Sequence, residues 1–229
     1  MNKISLYILL ILIFLGLSKS FSPSEHQTPY LANERVFPHF FGGAPITVIL
    51  VDSIESGLLI KTYFQRLKIV HGFSQPEYIT IRTSQSFWRK NLENIGMSLF
   101  RRKEIDGLGD TTPAPPGSLF LGDPSYGTWA FEASGNQIWQ FHRAYRNFPQ
   151  LLNWQSFTPT YEFYEQLQIH LQNNQSYYGP NKEFGKDGKV TSQVFSNTRD
   201  SYRAEMNISF LEYIRKKLTL PPWRINPIK

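Results

Sequence analysis

Two runs of alternating aromatic and β-branched residues, Thr128 to Ala133 and Ile138 to Arg143, flank Ser134-Gly135-Asn136, and that pattern is how a β-hairpin is written. A three-residue loop sets Phe131 against Trp139 and Trp129 against Phe141, whereas a loop extended to Gln137 sets Phe131 against Gln140. Cross-strand aromatic pairs contribute roughly 0.2–1 kcal/mol each over alanine pairs, so the shorter loop is expected. The alternation then places Trp129, Phe131, Trp139 and Phe141 on a core face, with Thr128, Ala130, Glu132, Ile138, Gln140 and His142 on a partly wet one.

Around this hairpin, Gly122-Asp123-Pro124-Ser125-Tyr126-Gly127 reads as consecutive turns: proline presets φ, aspartate can bond its own backbone, and glycine allows positive φ. Pro149 is expected to start a short helix over Gln150 to Trp154. A turn, a hairpin and a helix would thus gather Asp123, Ser125, Glu132, His142, Arg143 and Arg146 within reach of one another.

At the N-terminus, Lys3 precedes an apolar run from Ile4 to Leu17, and Ser18-Lys19-Ser20 supplies small residues for peptidase cleavage. As a helix the run would rise only about 21 Å, short of a hydrocarbon core of roughly 30 Å. The expectation is a secretory signal over residues 1–20, with a retained anchor as the alternative. No later stretch has the length and hydropathy of a membrane span, so the mature chain is expected to be exported to the periplasm or outside the cell, free of a transmembrane span.

The absence of cysteine removes disulfides, thiolate metal sites and a cysteine nucleophile from consideration. Stability must come from burial, and aromatic residues are 15% of the chain against 18% charged. The formal charge of +6 includes Lys3 and Lys19; the remaining mild excess suits anionic envelope polymers but is also an ordinary surface.

Residues 21–45, broken by Pro23, Pro29, Pro38, Gly42, Gly43 and Pro45, read as an extended arm whose Phe37, His39, Phe40 and Phe41 dock on the domain or a partner. Residues 46–104 are expected to form a βαβα half. Ile46–Val51 is a strand; a helix capped at Asp52 runs to about Val70 with Leu58, Leu59, Tyr63, Leu67 and Val70 on one side. Tyr78–Arg82 is a second strand, parallel to the first, and a helix from Ser86 carries Trp88, Leu92, Ile95 and Leu99 as a stripe. Residues 105–118 are a linker or a lid. Residues 119–229 form a hairpin-and-helix half, continuous with the first half or separate from it. It holds a helix after Thr158-Pro159 with Phe163, Tyr164, Leu167 and Leu171 inward, a tight hairpin at Lys186 to Lys189, and a helix from Asp200 to Leu218. The class is α+β.

Asp123, Ser125, Glu132 and His142 hold the residue types of a hydrolase, but no nucleophile-elbow pattern frames the serine. A glycosidase would need a carboxylate pair, and Glu162 and Glu165 lie on a helix face more readily explained as solvated. His26, His39, His71, His142 and His170 are scattered singly, so no metal is expected. No cofactor motif is present, nucleic acid is not expected as a partner, and the glycosylation patterns at Asn174 and Asn207 are taken as accidental.

The expected function is an exported, non-enzymatic protein of the cell envelope or extracellular space that binds or scaffolds a polysaccharide or peptide. Tyr126, Glu132, Gln140, His142, Arg143, Tyr145 and Arg146 would line its site. The alternative is an envelope hydrolase using Asp123, Ser125, Glu132 and His142.

Overall fold

A computed structural model describes residues 3–21, 28–57, 61–72 and 74–194. The expected helix from Asp200 to Leu218 and the pattern at Asn207 lie outside the described residues. Helix α1 (Lys3–Phe21) exposes its apolar side chains from Ile4 to Leu15. No helix among the described residues is long and apolar enough to cross a membrane.

The fold is α+β. A five-stranded mixed sheet runs in the order β1-β4-β3-β2-β5, built from β1 (Tyr30–Leu31), β2 (Ile46–Ser56), β3 (Thr62–His71), β4 (Glu77–Thr83) and β5 (Ser98–Arg102). A short parallel pair is present, but between β1 and β4; the two strands expected to form it, β2 and β4, are separated by β3. The strands β2, β3 and β4 form an antiparallel meander, and β5 lies antiparallel to β2.

The crossover helix expected from Asp52 to Val70 is not there: β2 continues to Ser56, the chain turns at Gly57 (φ +108°), and β3 returns beside it. Strand β3 pairs with β2 on one edge and β4 on the other, and Phe64, Leu67, Lys68, Ile69 and Val70 are all buried. A strand buried on both faces shows no polar alternation, so its apolar residues also satisfied a helical spacing. The stripe through Trp88 is similarly divided. Helix α3 (Gln85–Lys90), capped by the Ser84 hydroxyl rather than by Ser86, is followed by a 3-10 turn at Leu92–Asn94. Gly96 (φ +84°) ends the helical path, its N–H bonds the Leu50 carbonyl at 2.7 Å, and Leu99 lies in β5.

One sheet face carries Val48, Leu50, Leu67, Ile69 and Ile81 against Phe37, Phe41 and Phe87. The arm is therefore partly helical, with α2 (Phe37–Phe40) placing Phe37 and Phe41 in the core while His39 and Phe40 stay exposed. Arg102 fastens this segment: its guanidinium donates to the carbonyls of Pro38, Phe41 and Gly43. The opposite face is more polar. Thr47 and Ser98 hydroxyls are 2.7 Å apart, and Lys68 Nζ donates to Asn153 Oδ1 at 2.7 Å.

That face meets a second core containing Phe120, Trp139, Phe148, Leu152, Trp154, Phe163, Leu167 and Phe184. It is organised by the hairpin of β6 (Gly127–Phe131) and β7 (Gln137–Phe141), by α4 (Phe148–Leu151) with Pro149 in its first turn, and by α5 (Tyr161–Gln172). Thr160 caps α5, and Phe163 and Leu167 face inward with Tyr164 and Leu171 partly buried, as their spacing requires. Trp154 Nε1 donates to the Pro116 carbonyl at 2.7 Å and ties the approach to the hairpin into the core. The expected tight hairpin at Lys186 to Lys189 is instead a turn closed by Gly188 N–H to Gly185 O (3.0 Å), leading into a helical stretch at 189–194.

The hairpin is present with Trp129, Trp139 and Phe141 turned to the core as expected, but Phe131 is not, and the register is two residues away. Trp129 pairs with Trp139, Gly127 with Phe141 and Phe131 with Gln137. The loop is Glu132 to Asn136, closed by Glu132 N–H to Asn136 O at 2.9 Å. A Cβ on Gly127 would fall 2.4 Å from the Gln140 carbonyl oxygen and 2.7 Å from the Trp139 ring. Glycine therefore belongs where Trp139 lies across the neighbouring strand. Phe141 stacks on Trp154 (5.4 Å) instead of meeting Trp129, and Phe131 is left 76% exposed.

Candidate functional site

The residues gathered by the sequence argument separate into three places. Tyr126 and Tyr145 pack against each other at 4.9 Å, with Phe120 and Phe148 behind them, so their rings form the rim of the second core. Burial pushes the Tyr126 hydroxyl up in pKa, helped by the neighbouring Tyr145 and Asp123. His142 is exposed, and its Nε2 lies 2.9 Å from the Pro124 carbonyl oxygen. A carbonyl only accepts, so the ring carries its proton on Nε2 in this arrangement.

Asp123 is engaged elsewhere. Its carboxylate bonds Lys103 Nζ at 2.7 Å and accepts the Ser125 N–H at 2.9 Å. The Lys103 hydrogen bond is the foremost reason its pKa falls below the ordinary value, with the Ser125 bonds adding to it against some desolvation. Glu132 sits at the far end of the hairpin, where it accepts from Ser134 Oγ at 3.0 Å. Tyr126 and His142 close the other end. Six strand residues at about 3.4 Å each put roughly 20 Å between these ends, so Glu132 does not orient His142. Gln140, Arg143 and Arg146 are exposed.

A groove of about 580 Å³ opens beside the start of the same stretch. Its walls are Arg101 and Lys103, the loop through Asp110, the turn from Ser118 to Pro124, and α5 with Tyr164, Gln168 and Leu171. The tract at 105–118 forms one side by folding back along β5, bridging Ala114 to Ser98 and Asp110 to Arg101. Gly122 (φ +75°) permits close packing of the turn: a Cβ there would fall 2.5 Å from the Tyr164 ring.

Charge in the groove is arranged in pairs. Arg101 is 4% exposed and ion-paired with the half-exposed Asp110. Burial works against its charge, and Asp110 offsets part of that penalty. Arg101 Nη1 and the buried Ser118 hydroxyl have no hydrogen-bond partner among the described residues. Both atoms are sealed from solvent, as are unpartnered polar atoms of Asp52, Gln65 and Trp88 away from the groove, so the groove is distinguished by its shape and its paired charges. Leu119, Leu121 and Leu171 supply apolar surface beside them.

Of the groove's walls, the 117–124 turn lies within the stretch singled out in the sequence, whereas Arg101, Lys103, Tyr164 and Gln168 lie outside the expected site. The basic triplet Arg101-Arg102-Lys103 was the available signal, and its members point to different tasks: Arg101 to Asp110, Arg102 to the arm, Lys103 to Asp123. Among the described residues no group of three or more histidine or acidic side chains could hold a metal ion. No family model, no curated protein and no solved structure matches the chain.

Proposed function

We propose that this chain is an exported, non-enzymatic binding protein of the cell envelope or extracellular space, and that it seats a segment of polysaccharide or peptide in the groove between β5, the 117–124 turn and α5. The observation that carries this reading is the groove itself, in which paired charges stand beside apolar and aromatic surface. Lys103 and Asp123 neutralise one another, as do Arg101 and Asp110. A catalytic centre requires titratable groups converging on one reacting atom. Recognition requires fixed donors beside apolar and aromatic surface, which Tyr164, Gln168 and the three leucines provide. Export rests on the apolar N-terminal run.

The test is to express residues 21–229 and screen envelope glycans and peptides for binding and cleavage in the same samples. Saturable binding without turnover, weakened at least tenfold by Tyr164→Ala, is the expected result. Turnover that survives Tyr164→Ala and is lost on His142→Ala would instead place hydrolysis at the hairpin end and refute this reading.

A further inference from the structure

The outer edge of β6 has the backbone pattern of a strand that expects a neighbour. Trp139 N–H bonds the Pro159 carbonyl at 2.9 Å, so it points away from β6. His142 N–H to Tyr126 O and Glu132 N–H to Asn136 O, both 2.9 Å, mark the even-numbered positions as the hydrogen-bonded pairs of the ladder. In an antiparallel pair the intervening residues turn their N–H and C=O outward. Trp129 and Phe131 therefore direct both groups to the side opposite β7, at a repeat of about 6.8 Å. Among the described residues no strand occupies that side and no backbone hydrogen bond reaches either residue there.

The other edges are handled differently. β4 is paired with β1 at Arg82 and Thr83 and carries a charged residue, Glu77, at its other end; β5 is bridged to Asp110 and Ala114, and β7 by Ile138 to Thr160. β6, reading Gly-Thr-Trp-Ala-Phe, has none of the lysine, proline or bulge with which exposed edges are usually protected. Beside it stand Phe131, 76% exposed, and Tyr161, 38% exposed, whose ring packs on Trp129 at 5.1 Å.

We infer that β6 accepts an extended peptide as an added strand, with uncharged residues facing the edge and an apolar side chain at alternate positions against Phe131 and Tyr161. An extended backbone is the ligand whose donors and acceptors recur at that spacing, and strand addition of this kind is a general mode of peptide recognition. A second copy of this chain fits less well. Five residues make a seam only about 17 Å long, too little alone for the roughly 1,200–2,000 Å² of a stable pairing. The inference names the partner class for the binding role proposed above and rests on that reading, although it uses a different surface. The two meet at Tyr164, which lines the groove and lies 5.5 Å from Trp129.

The experiment uses a phage-displayed library of twelve-residue peptides panned against the full chain, with enriched sequences then made synthetically. Each is N-methylated at every second amide in one phase and, separately, in the other. Binding is expected to fall at least tenfold in one phase and to be unchanged in the other, and amide exchange at Trp129 and Phe131 is expected to slow on binding. Phe131→Pro should abolish binding, since its N–H faces outward and the ladder to β7 does not need it. Equal tolerance of both phases, retention of binding by Phe131→Pro, or no enrichment overturns the inference. Peptides that lose binding with Tyr164→Ala yet ignore Phe131→Pro would keep the groove and eliminate the edge. A sharp fall in elution volume at micromolar protein without peptide would assign the edge to a second copy and also overturn it.

Discussion

Replacing Lys68 with methionine should make the protein more stable at neutral pH and remove a pH dependence that the wild type displays. Lys68 lies on the central strand, opposite Ile49 on β2 and Tyr78 on β4, and is 4% exposed. Its ammonium donates to Asn153 Oδ1 at 2.7 Å, and burial alone pushes its pKa from 10.5 down to about 8. The unfolded chain therefore binds more protons between those two values, and stability must rise with pH across that window. Below pH 8 the charged side chain costs the fold about 3 kcal/mol, at 1.36 kcal/mol for each unit of displacement. Methionine removes that cost but leaves Asn153 Oδ1 unpaired, a loss of about 1–3 kcal/mol. The net gain at pH 7 is then about 0–2 kcal/mol, and it reverses near pH 10. Urea denaturation followed by tryptophan fluorescence at pH 7, 8, 9 and 10 measures both proteins under matched conditions. Wild type should recover about 2.5 kcal/mol relative to Lys68→Met between pH 7 and pH 10. A difference constant to within about 0.5 kcal/mol over that range would refute the reasoning, because it would mean that the buried amine titrates as it does in water.

Gly127→Ala should destabilise the hairpin by roughly 1–3 kcal/mol, since the added methyl meets the Gln140 carbonyl and Trp139; thermal unfolding and near-ultraviolet circular dichroism report it. Lys103→Gln should raise the Asp123 pKa toward its ordinary value, so that the stabilising contribution of this carboxylate, present above that value and lost as acid protonates it, shrinks; carbon-13 titration of Asp123 measures the shift. Tyr177, whose buried hydroxyl has no partner among the described residues, has its pKa pushed up to about 12 by burial, then by Glu183 and Glu162. Its raised value means stability falls as pH climbs from 10 toward 12, and Tyr177→Phe should flatten that fall in denaturation curves.

How much was legible depended on whether a segment's partners were near in sequence. Thr160 capping α5, Pro149 opening α4 and the aromatic face of the hairpin were readable because capping, φ restriction and alternation act within a few residues. The register of that hairpin was not. It was decided by Gly127 beneath Trp139 and by Trp154 stacking on Phe141, contacts made across the second core. The strand at Thr62–His71 was hidden because both its faces are covered, and Leu99 looked helical until β2 claimed it. The groove could not be inferred because Lys103 and Asp123 are distant in sequence and Tyr164 is more distant still.

The amino-acid sequence alone determined the α+β class, the hairpin's inward rings, the reliance on burial without disulfides and the apolar N-terminal run. Local dihedral preference and apolar periodicity are written in adjacent letters, and each of these follows from them. Tertiary structure decided which strands pair, which carboxylates Arg101 and Lys103 meet, and which edge of the hairpin has no neighbouring strand among the described residues. Those outcomes follow from the burial and hydrogen bonding of groups far apart in the chain, where a side chain's neighbours, and not its identity, determine what it does.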